Sequence, residues 1–517
     1  MHSFLKGGYM QTQLKKLHYP KKVAFSVRED HVFSWRFIAV LTLMGCIAVT
    51  VLFNLLPVDH DTLTLYWFFP VSLLLASQLY FGLHFTQQFE IKLLLVFFAW
   101  GCTTVVLNYG RAQLVDSYEW FATTSTAIFL CFSLPYAFEK EGAMRVLKLL
   151  ALVSLVAAVL LSLASLIAVY AKDIAAKAPS VFEGISIHGG RLYIDNHPNR
   201  SAPSPALGVI LAGILLVDTK KAWKRVLIVL GAVVCFVPLS LTVSRTAILG
   251  AGLAVAFEVA LVLRQTLKGR IRTALRVSIS LVVAVVALFA FYKGSEIVAQ
   301  LSNTVLARQE TAAVITQVAP KTTRLPQESE APTESVANDT AVVETNTEVA
   351  ALAEPLNEKE VITRDFSDAA TFNGRTEIWL GFWNGIMENP KILLVGTGPM
   401  KASEVMAPYF PPNSPIGIFH NSLVGVLVAN GLPALVLALA FLVLVAFASI
   451  RISFGKKSDQ PMAVRLLPAV LLFTVIEGMM EDFLFTSTAF NIVWIWFMIA
   501  AGFTFYFSRE MPEKPIA

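Results

Sequence analysis

Charge is what this sequence has least of. Asp, Glu, Lys and Arg make up 15% of its 517 residues, against about 25% in an ordinary soluble domain, and that deficit excludes a soluble cytosolic enzyme. Cysteine is scarce as well. Cys46, Cys102, Cys131 and Cys235 each lie in an apolar run without a C-x-x-C neighbour, so neither a disulfide framework nor a zinc site is implied. Aromatic residues fail locally: from Lys293 to Asp365, 73 residues, there is no Phe, Trp or Tyr, and twelve acidic residues stand against six basic ones. Such a segment cannot bury enough apolar surface to offset chain entropy, and it reads as a disordered acidic insertion.

Long apolar runs are what the chain has instead. They recur from Ser34 almost to the C-terminus, each long enough to cross a hydrocarbon core of about 30 Å. Apolar length places spans near 36–56, 64–83, 91–109, 119–137, 147–170, 204–217, 226–243, 246–263, 277–292, 418–449, 463–480 and 487–507. The expectation is an all-α polytopic membrane protein of about twelve transmembrane helices. The first run follows a basic tail, is too long for a signal h-region and leads directly into further spans, so it reads as a retained helix. The expected organisation is a tail over 1–35, helices 1–9 over 36–292 with a loop at 171–203, the insertion at 293–365, an ordered loop at 366–417 with an amphipathic helix, helices 10–12 over 418–507, and a tail over 508–517.

Twelve spans put both termini on one side, and alternate short loops on that side carry the Lys and Arg. The positive-inside rule makes that side the cytoplasm. The formal charge of +5 then divides unevenly: 26 basic against 9 acidic residues inside, 15 against 26 outside, and Glu258 within a span.

Against that acidic outer face a few basic groups stand out. An enzyme facing outward has no ATP to draw on, so its donor must carry its own leaving group, and an isoprenoid-linked diphosphate is the usual solution. Such a site needs fixed positive charge for the diphosphate and a base for the attacking hydroxyl. Arginine suits the first role because its planar fork binds phosphate bidentately and stays charged; histidine suits the second. The outer loops supply H-G-G-R-L-Y-I-D-N-H-P-N-R-S with Arg191, Asn199 and Arg200, L-T-V-S-R-T-A-I-L with Arg245, N-G-R-T-E-I-W with Arg375, and F-H-N-S-L-V-G-V-L-V-A-N-G-L-P with His420, Asn421 and Ser422. Each has a plainer reading. Arg245 can snorkel from a helix end, Arg191 and Arg200 can be loop charges, and His420 can be an interfacial histidine at a helix start. Glu477 and Glu481, at i, i+4 near the same membrane boundary, read as counter-ions for the arginines. The stripe Ile378, Trp379, Phe382, Trp383, Ile386, Met387 suits either a helix lying on the outer leaflet or one packed on the bundle. Gly431 and Pro433, about 16 Å beyond His420 on a helix, are expected to kink that span, either for packing or to open a lateral path for a lipid tail.

Taken together these motifs resemble the O-antigen ligase family, which shares its fold with O-antigen polymerases and bacterial protein O-oligosaccharyltransferases. Arg245 through Leu249 is similar to the family's R-x3-L motif, and His420, Asn421 and Ser422 with Gly431 to its H-(N/S/Q)-x9-G motif. G-G-R-L followed by H-P-N resembles its G-R-L and N-P-N elements, with His197 where Asn is usual. N-G-R-T-E-I-W with the following M-E-N-P-K-I-L-L-V-G-T-G-P resembles its G-R...W...P...G-x-G stretch. The likeness spans roughly 185–432 without the insertion. It implies a GT-C-like glycosyltransferase with a large periplasmic loop between helices 9 and 10, working at the periplasmic face of a bacterial inner membrane. The implied reaction moves a polysaccharide, with inversion, from undecaprenyl diphosphate to a lipid A-core sugar during lipopolysaccharide assembly. No metal, nucleotide, other cofactor or nucleic acid is implied; the partners are the lipid-linked glycan, the acceptor and membrane lipids. By carry-over Arg191 and Arg245 bind the diphosphate and His420 activates the acceptor hydroxyl, with Arg375, Arg200, Asn199, Asn421 and Ser422 as further substrate contacts and Gly431 and Pro433 as structural positions.

Overall fold

The computed structural model describes residues 89–108, 140–182, 184–188, 191–194, 199, 202–318, 375–398, 405–409, 420–455 and 461–481. The expected spans at 36–56, 64–83, 119–137 and 487–507 lie outside them, as do Cys46, Cys131, His197 and Arg200.

The described residues are mostly helical. In chain order they form α1 (Phe89–Asn108), α2 (Lys140–Tyr170), the short α3 (Lys172–Ala175) and α4 (Pro179–Phe182), β1 (Ile185–His188), β2 (Arg191–Ile194), α5 (Pro203–Asp218), α6 (Ala222–Thr242), α7 (Arg245–Thr266) and α8 (Thr273–Val318). After a gap come α9 (Arg375–Glu388), α10 (Lys391–Val395), a 3-10 turn at Ala407–Tyr409, α11 (Ser422–Phe454) and α12 (Met462–Met480). Six of these helices are long and apolar enough to cross a membrane, and α1 and α5 carry shorter apolar stretches.

Their outward faces require an apolar solvent. Trp223, Val226, Leu227 and Leu230 on α6, and Leu281, Val282, Val285 and Phe289 on α8, are all more than half exposed, a concentration of bare apolar side chains that soluble monomers rarely present to water. Lipid offers no hydrophobic drive between helices, so the bundle must cohere through close packing. Its main core joins Leu147 and Leu150 of α2, Ile210 of α5, Leu239 of α6, Phe441 of α11 and Phe473 of α12, each at most 1% exposed. Helix α7 runs antiparallel to α12. A Cβ on Gly250 would stand 3.1 Å from the Phe473 ring, and the far end of α7 brings Arg264 within electrostatic reach of Arg465. One end of the bundle therefore gathers the N-termini of α7 and α11 with the C-terminus of α12.

Three sequence expectations change in detail. The break expected at residue 292 is absent, because α8 continues as one 46-residue helix to Val318, about 69 Å long at 1.5 Å per residue. Local helix propensity in that Ala-, Val- and Gln-containing stretch is joined by a tertiary anchor: Leu306 is 9% exposed and packs with Leu161, Val169, Ile185, Leu192 and Leu241. The stretch lacks aromatics but finds its partners on other elements. Residues 319–365 of the expected insertion lie outside the described residues.

The loop at 171–203 contains the antiparallel hairpin β1–β2, with Ile185 opposite Ile194 and His188 opposite Arg191. Strand alternation buries Leu192 and Ile194 against α2 and α6 and turns Arg191 and Tyr193 to the other face.

The 378–387 stripe splits. Ile378, Phe382 and Ile386 pack with Ile392, Met406, Val428 and Ala429, whereas Trp383 and Met387 are 57% and 62% exposed. Helix α9 thus does both things open to it, docking one edge on the bundle and presenting the other outward.

Candidate functional site

The residue around which the site is organised is Glu481. It follows the last turn of α12 in an extended conformation, and its N–H donates to the Glu477 carbonyl at 2.7 Å. It is 3% exposed. One carboxylate oxygen, Oε1, accepts from Arg375 Nη2 and from Asn199 Nδ2, each at 2.7 Å. The other, Oε2, lies 3.1 Å from His420 Nδ1. Its backbone carbonyl accepts from Ser422 Oγ at 2.9 Å. Asn199, Arg375 and His420, far apart in sequence, thus meet at one carboxylate at the end of α12, and Ser422 is tied to its backbone.

The chain enters α11 through a turn that positions the histidine. His420 has φ +50, a left-handed conformation that costs a non-glycine residue roughly 1 kcal/mol or more. Asn421 then caps the helix, its Oδ1 accepting from the N–H groups of Leu423 and Val424 at 2.9 and 3.2 Å, while its Nδ2 donates to the Met479 carbonyl at 3.2 Å. The side-chain oxygen satisfies two of the donors that every helix start leaves over. The cap and its tie to α12 hold the imidazole against Glu481. Where the carboxylate is ionised and the imidazole neutral, Nδ1 carries the proton and Nε2 keeps its lone pair. This is the arrangement a general base needs.

Arg245 is the first residue of α7, after an αL residue at Val243 (φ +50) and the N-cap Ser244. The positive end of a helix dipole disfavours a cation there by roughly 0.3–1 kcal/mol, so helix stability does not explain this arginine. Arg375 is likewise the first residue of α9, and its charge is offset by Glu481 in a pair whose side chains are 12% and 4% exposed. Strand β2 brings Arg191 to the same turn: its Nε donates to the Thr242 carbonyl at 3.0 Å, three residues before Arg245. That contact caps an orphan carbonyl at the C-terminus of α6, so a packing role for Arg191 is visible on its own terms.

The described residues therefore fall into two groups at one end of the bundle: Asn199, Arg375, His420 and Ser422 on Glu481, and Arg191 beside the turn that starts α7 at Arg245. Glu481 was legible in the sequence only as a counter-ion for arginines, by its i, i+4 spacing from Glu477; that it also takes the histidine was not. Glu477, 3% exposed, has no hydrogen-bond partner on either carboxylate oxygen and lies within electrostatic reach of Glu481 and Arg375. Beyond the cluster, on the α9 side, Tyr409 donates to Glu388 Oε2 at 2.9 Å, and that hydrogen bond raises the phenol above its ordinary range.

Gly431 and Pro433 both lie inside α11, and the break falls at Gly431. Gly431 breaks α11 with φ +77 and ψ 178. The break frees backbone carbonyls, which in a membrane must find other donors. Val428 O accepts from Thr397 N at 2.8 Å, Ala429 O from Gly398 N at 2.9 Å, and Asn430 O from Trp100 Nε1 at 2.8 Å. A Cβ on Gly431 would run into the Leu394 backbone, and one on Gly396 into the backbone of Ala429. The kink is a socket in which the G-T-G turn at 396–398 and helix α1 lock onto α11, as the packing alternative expects. No group of His, Cys, Asp and Glu suited to hold a metal ion occurs among the described residues.

Residues 230–439 match the family model described as O-Antigen ligase. No curated protein matches the chain. The matched segment runs from α6 to the middle of α11 and includes Arg245, Arg375, His420 and Gly431, while Arg191, Asn199 and Glu481 lie outside it. That segment is what the chain shares with the O-antigen ligase family.

Proposed function

We propose that this protein transfers a polysaccharide from undecaprenyl diphosphate to a sugar of lipid A-core, at the periplasmic face of a bacterial inner membrane. The observation that carries the reading is the Glu481 cluster, in which one buried carboxylate orients His420 and holds Arg375. The family supports a lipid-linked glycan as donor.

In this reading the acceptor hydroxyl donates to His420 Nε2. Its oxygen attacks the anomeric carbon from the face opposite the diphosphate, so the new C–O bond forms as the anomeric C–O bond to the diphosphate breaks and the configuration inverts. The hydroxyl proton passes to His420, and the imidazolium is stabilised by Glu481 without moving to it. The bond electrons leave with undecaprenyl diphosphate. Its growing negative charge is met by Arg245 and Arg191, by the N-terminus of α7, and, as a weaker candidate, by Arg375. Charge for the leaving group comes from arginines, and the donor brings its own activation, so the proposed reaction calls on neither a nucleotide nor a metal. Arg200, Asn421 and Ser422 remain proposed substrate contacts, although the last two also anchor α11. The twelve-span, GT-C-like arrangement with both termini cytoplasmic belongs to the same proposal.

Deleting the gene and separating lipopolysaccharide by electrophoresis, with analysis of lipid-linked intermediates, tests the reading. A ligase predicts bare core and polymer accumulating on the isoprenoid carrier. Core capped by a single repeat would reassign the chain to polymerisation, and normal lipopolysaccharide with an altered glycoprotein would reassign it to protein O-glycosylation.

A further inference from the structure

Helix α9 carries an apolar edge that the proposed reaction does not use. Leu380, Trp383 and Met387, at i, i+3 and i+7, form one stripe, and each is more than half exposed. The edge to one side of it, Ile378, Phe382 and Ile386, is buried with Val428 and Ala429 of α11, and Val424 and Leu427 pack against the same cluster. To the other side lies a polar stripe of Glu377, Asn384 and Glu388, all exposed. Beyond that, a Cβ on Gly385 would stand 2.8 Å from the Tyr409 ring, and the Tyr409 hydroxyl donates to Glu388. The bare apolar stripe thus lies between the edge docked on a membrane-crossing helix and the edge that carries charge.

The depth of α9 follows from the length of α11. The 33 residues of α11 extend about 50 Å at 1.5 Å per residue, against a hydrocarbon core of about 30 Å. Arg451, in the last turn, marks one end of that core. Counting back about 20 residues, the length that crosses the core, arrives at Gly431. Residues 422–430, on which α9 packs, therefore stand in the headgroup layer. Leu394 of α10 is exposed and its backbone adjoins Gly431, which puts it at the hydrocarbon boundary. Past that boundary α11 bares Leu432, Val436 and Val443, so the lipid-facing part of α11 begins where the α9–α10 segment ends. A helix at headgroup depth with a tryptophan on its bare apolar edge and a polar stripe beside it has the arrangement of an interfacial amphipathic helix.

We propose that Leu380, Trp383 and Met387 of α9, with Leu394 of α10, insert into the bilayer leaflet on the Glu481 side, so that the partner of this surface is the acyl-chain boundary of the lipids. The polar stripe then meets headgroups and water. Arg375, the first residue of α9, pairs with Glu481, so a lipid-seated α9 also positions that guanidinium. The inference rests on the bundle crossing a membrane, and not on which glycan or acceptor the site takes.

The test is spin labelling of the full chain in vesicles of phosphatidylethanolamine and phosphatidylglycerol. Cys46, Cys102, Cys131 and Cys235 are replaced by Ala, and single nitroxides are attached through Leu380→Cys, Trp383→Cys, Met387→Cys, Glu377→Cys and Asn384→Cys. Collision with oxygen, which concentrates in lipid, is compared with collision with a water-soluble nickel chelate. The proposal predicts that oxygen dominates at 380, 383 and 387 and nickel at 377 and 384, a reversal between the neighbours 383 and 384. Nickel dominating at all five positions puts the stripe in water. Weak collision with both reagents at 380, 383 and 387 means that a protein surface, of this chain or of a second copy, covers it. Either result overturns the proposal. If the cysteine-free chain does not fold, wild type and Trp383→Phe are reconstituted with the native cysteines in place, and the difference between their emission spectra isolates Trp383. Quenching of that difference by brominated acyl chains and not by iodide is expected; no quenching by brominated lipid overturns the proposal.

Discussion

Replacing Glu481 by Gln separates an orienting carboxylate from a mere space-filler. Three donors converge on the two carboxylate oxygens: Arg375 Nη2 and Asn199 Nδ2 on Oε1, His420 Nδ1 on Oε2. Gln keeps the volume but exchanges one acceptor oxygen for an NH2 donor. If the amide nitrogen faces His420, Nδ1 must become the acceptor, the proton moves to Nε2, and the lone pair that takes the acceptor's proton is gone. If the nitrogen faces the other side, Arg375 and Asn199 lose their acceptor and the imidazolium loses its charge partner. Both arrangements disable the base, while Arg245 and Arg191 are untouched. The comparable carboxylate-to-amide change in a catalytic triad costs about 10⁴ in rate, or about 5.4 kcal/mol of barrier at 1.36 kcal/mol per tenfold. The expected outcome is a fall in kcat of about 10³–10⁴ with little change in donor KM, measured with purified protein, an undecaprenyl-diphosphate-linked glycan and a core acceptor. Glu477→Gln, one turn back and without a hydrogen-bond partner, is the control and should keep its rate. A Glu481→Gln protein that folds and transfers at the wild-type rate would refute the orienting role.

Three further outcomes follow from particular contacts. Arg245→Lys keeps the charge at the start of α7 but loses the bidentate fork, so transfer should fall at least about tenfold, a loss of roughly 1.4 kcal/mol; an unchanged rate would favour snorkelling. Gly431→Ala places a Cβ against the Leu394 backbone at a positive φ, and the structure predicts destabilisation of about 1–3 kcal/mol, read as a lower melting temperature in detergent. Leu306→Asp, on the part of α8 beyond residue 292, puts a carboxylate into the cluster with Leu161, Ile185 and Leu192. It should lower the melting temperature, whereas deletion of 320–355 should leave it unchanged.

Much of the helical frame was legible because apolar length is a local property. The spans expected at 147–170, 204–217, 226–243, 246–263 and 463–480 fall on α2, α5, α6, α7 and α12, and differ mainly at their ends. The continuation of α8 was not legible, since the absence of aromatics over 293–365 says nothing of the α2 and hairpin side chains that receive Leu306. The site divided along the same line. His420, Arg245 and Arg375 stood out as charged or titratable residues at the borders of apolar runs. Glu481 at the centre did not, because its role depends on Asn199, Arg375 and His420 arriving from three distant segments. Gly431 and Pro433 announced a kink, but only the backbone partners at 397 and 398, and Trp100, show the packed joint it makes.

The central claim is that this chain transfers a lipid-linked glycan with His420 as the base. It is tested most directly by incubating purified wild-type and His420→Ala proteins with an undecaprenyl-diphosphate-linked glycan and lipid A-core, then following product by electrophoresis and its new anomeric linkage by NMR. The account predicts an inverted glycosidic bond to the core with wild type and no transfer by a folded, membrane-inserted His420→Ala protein. Transfer by that variant at the wild-type rate, or a product of retained configuration, would contradict it.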